Sequence, residues 1–283
     1  MSSEKPMKVA LCWHMHQPEY RNLRSGTFHL PWTYLHAIKD YVDMAAHIEA
    51  VPGARAVVNF APILLEQLED YVSQLQQFLG GQGTIRDPLL ADLAEPALPG
   101  DPEAQLSLMK RCLQANRERM INRFEPYKRL ADLALFYEEH PQTLLYASNQ
   151  FIADLLVWYH LSWMPEFARR SDGRIGRLEE KAGNYSLHDR RELLQIILEL
   201  MESIIPRYRA LAQTGQVELT MSPYAHPIVP LLLDMNSARE AMPDAPLPIN
   251  RNYPGGEVRS RWHLDKGAET FERLFGFRPQ GLW

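Results

Sequence analysis

Cysteine is nearly absent, with two in 283 residues, Cys12 and Cys112. Neither belongs to a CxxC or other metal-type spacing, which excludes a zinc ribbon and a disulfide framework. Each sits in an apolar or helical run and reads as a buried free thiol, which suits a reducing cytoplasm. Also missing is any run of the ~18 to 20 apolar residues that a membrane helix needs. The polar start Met1-Ser2-Ser3-Glu4-Lys5-Pro6 leads straight into a strand-like run, not into an apolar targeting segment. A soluble cytoplasmic protein with no membrane partner is expected.

Positive charge is not in excess either. Thirty Lys and Arg stand against 35 Asp and Glu, a net charge of −5, and the basic residues are scattered in pairs such as Arg169-Arg170 and Arg190-Arg191. Sequence-independent nucleic-acid binding needs clustered positive charge to displace counterions, so a neutral polar ligand fits better. No GxSxG, Gly-rich phosphate loop, HExxH or Asp-rich metal loop occurs. The apolar share of 46% and charged share of 23% are those of ordinary folded proteins, and the length accommodates one large α/β domain or two modest ones. There is no internal repeat.

What is present is an alternation of strand-like and helix-like segments. Lys8 to Trp13, Ala54 to Phe60 and Gln216 to Ser222 have strand character and each breaks into a polar or Pro-containing loop. Leu35 to Ile48, Ile63 to Leu79, Asp189 to Gln213 and 258 to 275 carry apolar residues at helical spacing. Pro206 falls inside the third of these and predicts a kink, while Glu66, Glu69 and Asp70 fall on the polar, wet side of the second. Residues 81 to 103, rich in Pro and Gly, read as a loop-like break, and 104 to 138 and 148 to 161 as helices. A helix-rich insertion over about 81–165 is therefore expected, hung on the second strand-helix unit. Gln280-Gly281-Leu282-Trp283 looks like the opening of a further strand. Alternating strands and helices favour a parallel sheet or barrel.

The polar residues at strand ends are the candidates for chemistry. His14 and His16 are two apart, so a strand continuing through them projects both imidazoles to one side, with Trp13 and Met15 on the other. Three readings remain open for the pair: metal ligands, hydrogen-bonding groups for a polar substrate such as a sugar, or buried structural histidines. A metal site needs a third and usually a fourth ligand, for which Glu218 and His226 are the candidates near a strand end. Glu218 faces opposite to Val217 and Leu219, which favours an inward, active-site role in a barrel over packing on helices, with pairing to a nearby Arg or Lys as the other role open to it. His226 follows a Pro-containing turn and Asn59 ends the second strand; each has a pocket role or a structural one open to it. Trp13, Trp32, Tyr224 and Trp283 lie near strand ends, where aromatic faces stack on sugars, whereas Trp158 and Trp163 lie on helical patterns and read as core.

These motifs together resemble glycoside hydrolase family 57. Trp13-His14-Met15-His16-Gln17-Pro18-Glu19-Tyr20, Leu30-Pro31-Trp32, Leu35-His36-Ala37-Ile38-Lys39-Asp40-Tyr41 and Asn59-Phe60-Ala61-Pro62-Ile63-Leu64-Leu65-Glu66-Gln67-Leu68 are similar to the opening of that family. Gln216-Val217-Glu218-Leu219 with Ser222-Pro223-Tyr224-Ala225-His226-Pro227 is similar to its second conserved region, and Phe275 to Trp283 to the approach to its third. The resemblance implies an α/β fold, part of a (β/α)₇ barrel of the glycoside hydrolase/deacetylase type with a helical insertion, acting with retention on α-glucans or maltooligosaccharides. It places His14, His16, Glu218 and Trp283 in the donor-sugar subsite; His226 and Asn59 are further candidates for substrate binding from their positions at strand ends. No cofactor and no metal is implied.

The resemblance also places the nucleophile, a Glu three residues after that Trp, and the acid/base Asp beyond Trp283. Retention requires both carboxylates, so residues 1–283 are expected to be the N-terminal part of a catalytic domain, inactive alone and prone to self-association or to pairing with a C-terminal half. The alternatives are a non-catalytic carbohydrate-binding or interaction protein, and a metal-dependent deacetylase or mannosidase-like barrel holding zinc with His14, His16 and a carboxylate.

Overall fold

The computed structural model describes residues 9–250 and 252–283; Lys8 and the polar start at 1–6 lie outside them. Three strands form, β1 Cys12–Met15, β2 Ala56–Phe60 and β3 Val217–Met221, and they pair in parallel in the order β1-β2-β3. A bridge from Met221 to Leu282 continues the sheet past β3. It is held by the Met221 N–H on the Gly281 carbonyl (3.1 Å) and the Trp283 N–H on the Met221 carbonyl (2.8 Å). The fold is thus α/β on a small parallel sheet. β1 starts four residues later than its apolar run and takes in His14, because the ladder with Val57 to Phe60 sets the strand and not local hydrophobicity.

The two faces of the sheet differ sharply, as alternation demands. Met15, Val58, Phe60, Leu219 and Met221 are all buried. Phe60 packs its ring 5.1 Å from Tyr208 and 5.5 Å from Phe275, so long helices cover this side. The other face carries Cys12, His14, Val57, Asn59, Glu218 and Thr220, rung by rung. Cys12 is accordingly exposed and only Cys112 is buried, which corrects the expectation of two core thiols.

The chain divides into two compact units. One contains residues 9–19, His47–Glu69 and Ile205–Trp283 and includes the sheet; the other contains Tyr20–Ala46 and Asp70–Ile204. The second unit thus takes in helices on both sides of residues 81–165. The stretch 81–103 is also less loop-like than its Pro and Gly content suggests, since Pro88–Ala94 is helical. Asp87 caps it, accepting from the Leu89 and Leu90 N–H groups at 2.9 and 3.1 Å. Asp-Pro here is an N-cap followed by a first-turn proline, a helix start and not a turn. The first helix is also interrupted, with Ala37–Tyr41 wound as a π-helix between Trp32–His36 and Val42–Glu49. Pro206 lies inside a helix that runs from Leu187 to Gln213. Among the described residues no helix is long and apolar enough to cross a membrane.

The helical unit is closed by buried polar pairs. Trp158 and Trp163 are buried, and the Tyr71 hydroxyl donates to Asp87 at 2.6 Å. His160 is fully buried; its Nδ1–H donates to the Leu156 carbonyl (2.8 Å) and its Nε2 accepts from the Tyr34 hydroxyl (2.9 Å). Burial pulls this imidazole down to about 4, against a partial rise from the Leu156 bond. The folded value lies below the ordinary 6.5, so the unfolded chain binds the proton more readily. The stability from keeping His160 neutral is complete above pH 6.5 and is lost as pH falls toward 4. Acidification across that window should therefore destabilise the protein by on the order of 1 to 3 kcal/mol through this residue, and the thermal midpoint of His160→Gln should fall less steeply between pH 7 and 4.5. Equal slopes for the two proteins would refute the assignment.

Candidate functional site

The polar face of the sheet is organised by Asn59. In the parallel register His14 stands opposite Asn59 and Asn59 opposite Thr220, so three side chains from three strands share one rung. The Asn59 amide nitrogen donates to Thr220 Oγ1 (3.0 Å), and its Oδ1 accepts from the Ser222 hydroxyl (2.7 Å) and from His14 Nδ1 (2.8 Å). With the amide so oriented, the proton of neutral His14 must sit on Nδ1. Its Nε2 is left as an acceptor.

A second element brings His226 to His14 on β1 and to His16 just beyond it. The turn after β3 runs Ser222-Pro223-Tyr224-Ala225-His226 and ends with His226 at φ 55°, a left-handed backbone held by its N–H on the Pro223 carbonyl at 2.7 Å. The ring of His226 lies 4.7 Å from that of His14 and 4.6 Å from that of His16, and the His14 and His16 rings are 5.8 Å apart and stacked. Trp283, pinned to β3 by its backbone, stacks its ring 4.9 Å from His14 and remains 61% exposed. Three imidazoles and one indole thus share a single surface beyond the ends of β1 and β3. The Nε2 of His226 is buried with no hydrogen-bond partner among the described residues.

Burial lowers the pKa of His14, and the His226 charge adds to this while the Asn59 bond opposes it; burial and both neighbouring imidazoles lower that of His16. Near neutral pH these rings are uncharged dipoles that donate at one nitrogen and accept at the other. Such groups suit a hydroxyl-rich neutral molecule better than an anion. Among the described residues no group of three or more His, Cys, Asp or Glu side chains is placed to hold a metal ion.

Glu218 does not join the cluster. It stands on the same face but on the rung of Cys12 and Val57, two residues and ~6.5 Å toward the start of the strand from Thr220. There it lines a shallow hollow with Leu11, Arg55, Val57 and Gln216. Tyr224, a candidate stacking residue, instead turns its hydroxyl to Glu66 at 2.6 Å. Thr220 and Ser222 escaped the sequence reading, although they follow Glu218 at the strand period of two. Glu66 escaped as well, since it lies on the polar stripe of a helix and a sequence pattern does not distinguish a wet carboxylate from one that a neighbouring turn covers.

The profile of glycosyl hydrolase family 57 matches residues 10–283. A 1,4-alpha-glucan branching enzyme from Thermococcus kodakarensis is 27% identical over 116 residues, which is 41% of this chain and 14% of that protein. Among solved structures, a GH57-type branching enzyme from Pyrococcus horikoshii aligns with 18% identity and a TM-score of 0.38, over 97% of this chain and 33% of the other. The alpha-amylase AmyC from Thermotoga maritima aligns with 12% identity and a TM-score of 0.40, over 98% and 35%. The chain spans about a third of the length of these solved proteins.

The Asn59 junction carries its own prediction. Asn59→Ala leaves Ser222 and Thr220 without their shared partner and should cost about 1 to 3 kcal/mol of stability. It should also move the titration midpoint of His14 further down, since the Asn59 bond favours the charged ring. Proton NMR of the ring Cε1–H signals reads the midpoint; an unchanged or raised value for His14 would contradict the hydrogen-bond assignment.

Proposed function

Because the chain belongs to glycosyl hydrolase family 57, we propose that it contributes the donor-sugar subsite of a retaining α-glucan-active hydrolase or glucanotransferase, built on part of a (β/α)₇ barrel. The observation that supports this most is the grouping of three histidines around one exposed tryptophan on the polar face of a parallel sheet. An indole face stacks on the C–H face of a pyranose, and neutral imidazoles pair with its hydroxyls. In this reading His14 accepts a sugar hydroxyl at Nε2, because Asn59 takes the proton side of its ring. The rings of His226 and His16, 4.6 Å apart, complete the wall.

Glu218, one rung deeper, belongs to the floor of the same face and extends the subsite along the strand. Asn59 acts by fixing His14 rather than by touching the sugar. Retaining chemistry needs a nucleophile and a proton donor about 5 to 5.5 Å apart, and the resemblance assigns both roles to residues outside 1–283. The contribution of the described residues is then to bind and orient the sugar.

Isothermal titration with maltooligosaccharides tests the reading. Saturable binding is expected, weakened about tenfold or more, roughly 1.4 kcal/mol, by His14→Ala and by Trp283→Ala, with little change for an exposed substitution such as Leu145→Ser in the helical unit. Affinity untouched by both site variants would overturn it.

A further inference from the structure

His226 occupies a backbone conformation that an L-residue other than glycine adopts at a cost of about 1 to 2 kcal/mol, so something around it must impose that conformation. The turn that carries it is gripped on both sides. The Ser222 N–H donates to the Phe60 carbonyl (3.1 Å), the Tyr224 carbonyl accepts from the Ile63 N–H (3.0 Å), and the Tyr224 N–H donates to the His263 carbonyl (2.9 Å). Two helices thus hold the turn by its backbone, one starting at Pro62 and one running from Gly256 to Phe275.

The side-chain centre of this grip is Glu66. Its Oε2 accepts from the Tyr224 hydroxyl at 2.6 Å, while its Oε1 accepts from Thr270 Oγ1 at 3.0 Å and pairs with Lys266 Nζ at 3.3 Å. Lys266 also stands 5.7 Å over the Tyr224 ring. The carboxylate therefore joins the second turn of one helix, the side of the other, and the tyrosine midway along the turn. Gly267 permits the close approach, since a Cβ there would meet the Tyr224 nitrogen at 3.2 Å and Pro62 Cγ at 3.4 Å. Burial alone would raise the Glu66 carboxyl, but the bonds from Tyr224 and Thr270 and the Lys266 charge outweigh it and hold the group below its usual range.

We propose that Glu66 is a positioning residue for the site: by holding the Tyr224 hydroxyl it fixes the Ser222-to-His226 turn and so delivers the His226 ring against His14 and His16. The proposal deepens the sugar-subsite reading by naming what sets its geometry, and its physical core, the placement of one ring, is measurable with no sugar present. Removing the carboxylate releases the tyrosine, and the turn then relaxes toward an unstrained backbone that carries His226 away from its neighbours.

The experiment is ring NMR on the full 283-residue chain with labelled histidines, comparing Glu66→Ala, Glu66→Gln and Tyr224→Phe with the parent. In Glu66→Ala and Tyr224→Phe the cross-peaks from His226 to His14 and His16 should weaken, and the midpoints of His14 and His16 should rise by roughly half a pH unit as the neighbouring charge withdraws. Glu66→Gln, which can still accept from Tyr224, should retain most of both signals. Glu69→Ala, which breaks an ion pair with Arg273 between the same two helices, should leave them as they are. Unchanged cross-peaks and midpoints in a folded Glu66→Ala would overturn the proposal. Should that variant not fold, Tyr224→Phe, the loss of one hydroxyl, decides the matter in the same way. Maltooligosaccharide titration of the parent keeps the two ideas apart, since absence of binding counts against the sugar subsite and leaves the ring geometry to the NMR.

Discussion

A buried side-chain amide carries two donor hydrogens and an acceptor oxygen that water no longer reaches, and leaving them unmatched would cost several kcal/mol. Asn59 is fully buried in the middle strand; its oxygen accepts from His14 of β1 and from Ser222 just after β3, and its nitrogen donates to Thr220 of β3. The arrangement works only in the observed register, because a one-residue slip would turn His14 or Thr220 to the apolar face. A single amide thus aligns the polar face, orients the ring of His14 and fixes its tautomer.

The division of the sheet into two faces follows from the same constraint. Helices cover the side that carries Phe60 and Met221, whereas the other side carries groups that are satisfied by one another or directed outward. Four rings gather where that polar side meets the turn after β3, and none of the three imidazoles has a carboxylate for a hydrogen-bond partner among the interactions that define the cluster. The result is a surface of imidazoles beside an indole, the kind of surface that a carbohydrate's alternating hydroxyls and C–H faces complement. Local strain at His226 has a role in this arrangement, for an unstrained turn would direct the ring elsewhere.

Legibility from sequence varied with the range of the determining interaction. The helices Ile63 to Leu79, Asp189 to Gln213 and 258 to 275 were visible to within a few residues because their apolar period is local. So were three strands, apart from the edges of β1. The Pro88–Ala94 helix was missed because its capping Asp87 was outweighed by neighbouring Pro and Gly, and the make-up of the second unit is not a local property, since it draws on segments far apart in the chain. His14, His16 and Asn59 were visible as polar interruptions at strand ends. Their joining by Ser222 and Thr220 was not, since that depends on the pairing of strands more than 150 residues apart.

By itself the sequence determined the family, the alternation of strands and helices, and which residue types stand at the strand ends, because motif spacing and hydrophobic period are properties of contiguous chain. Only the tertiary structure decided that His226 and Trp283 meet the His14 pair, that Glu218 stands one rung away, and that Glu66 anchors a turn instead of facing water. Each of those outcomes depends on strand register or on the approach of two helices to one turn. Both are settled by burial and hydrogen bonding summed over distant segments.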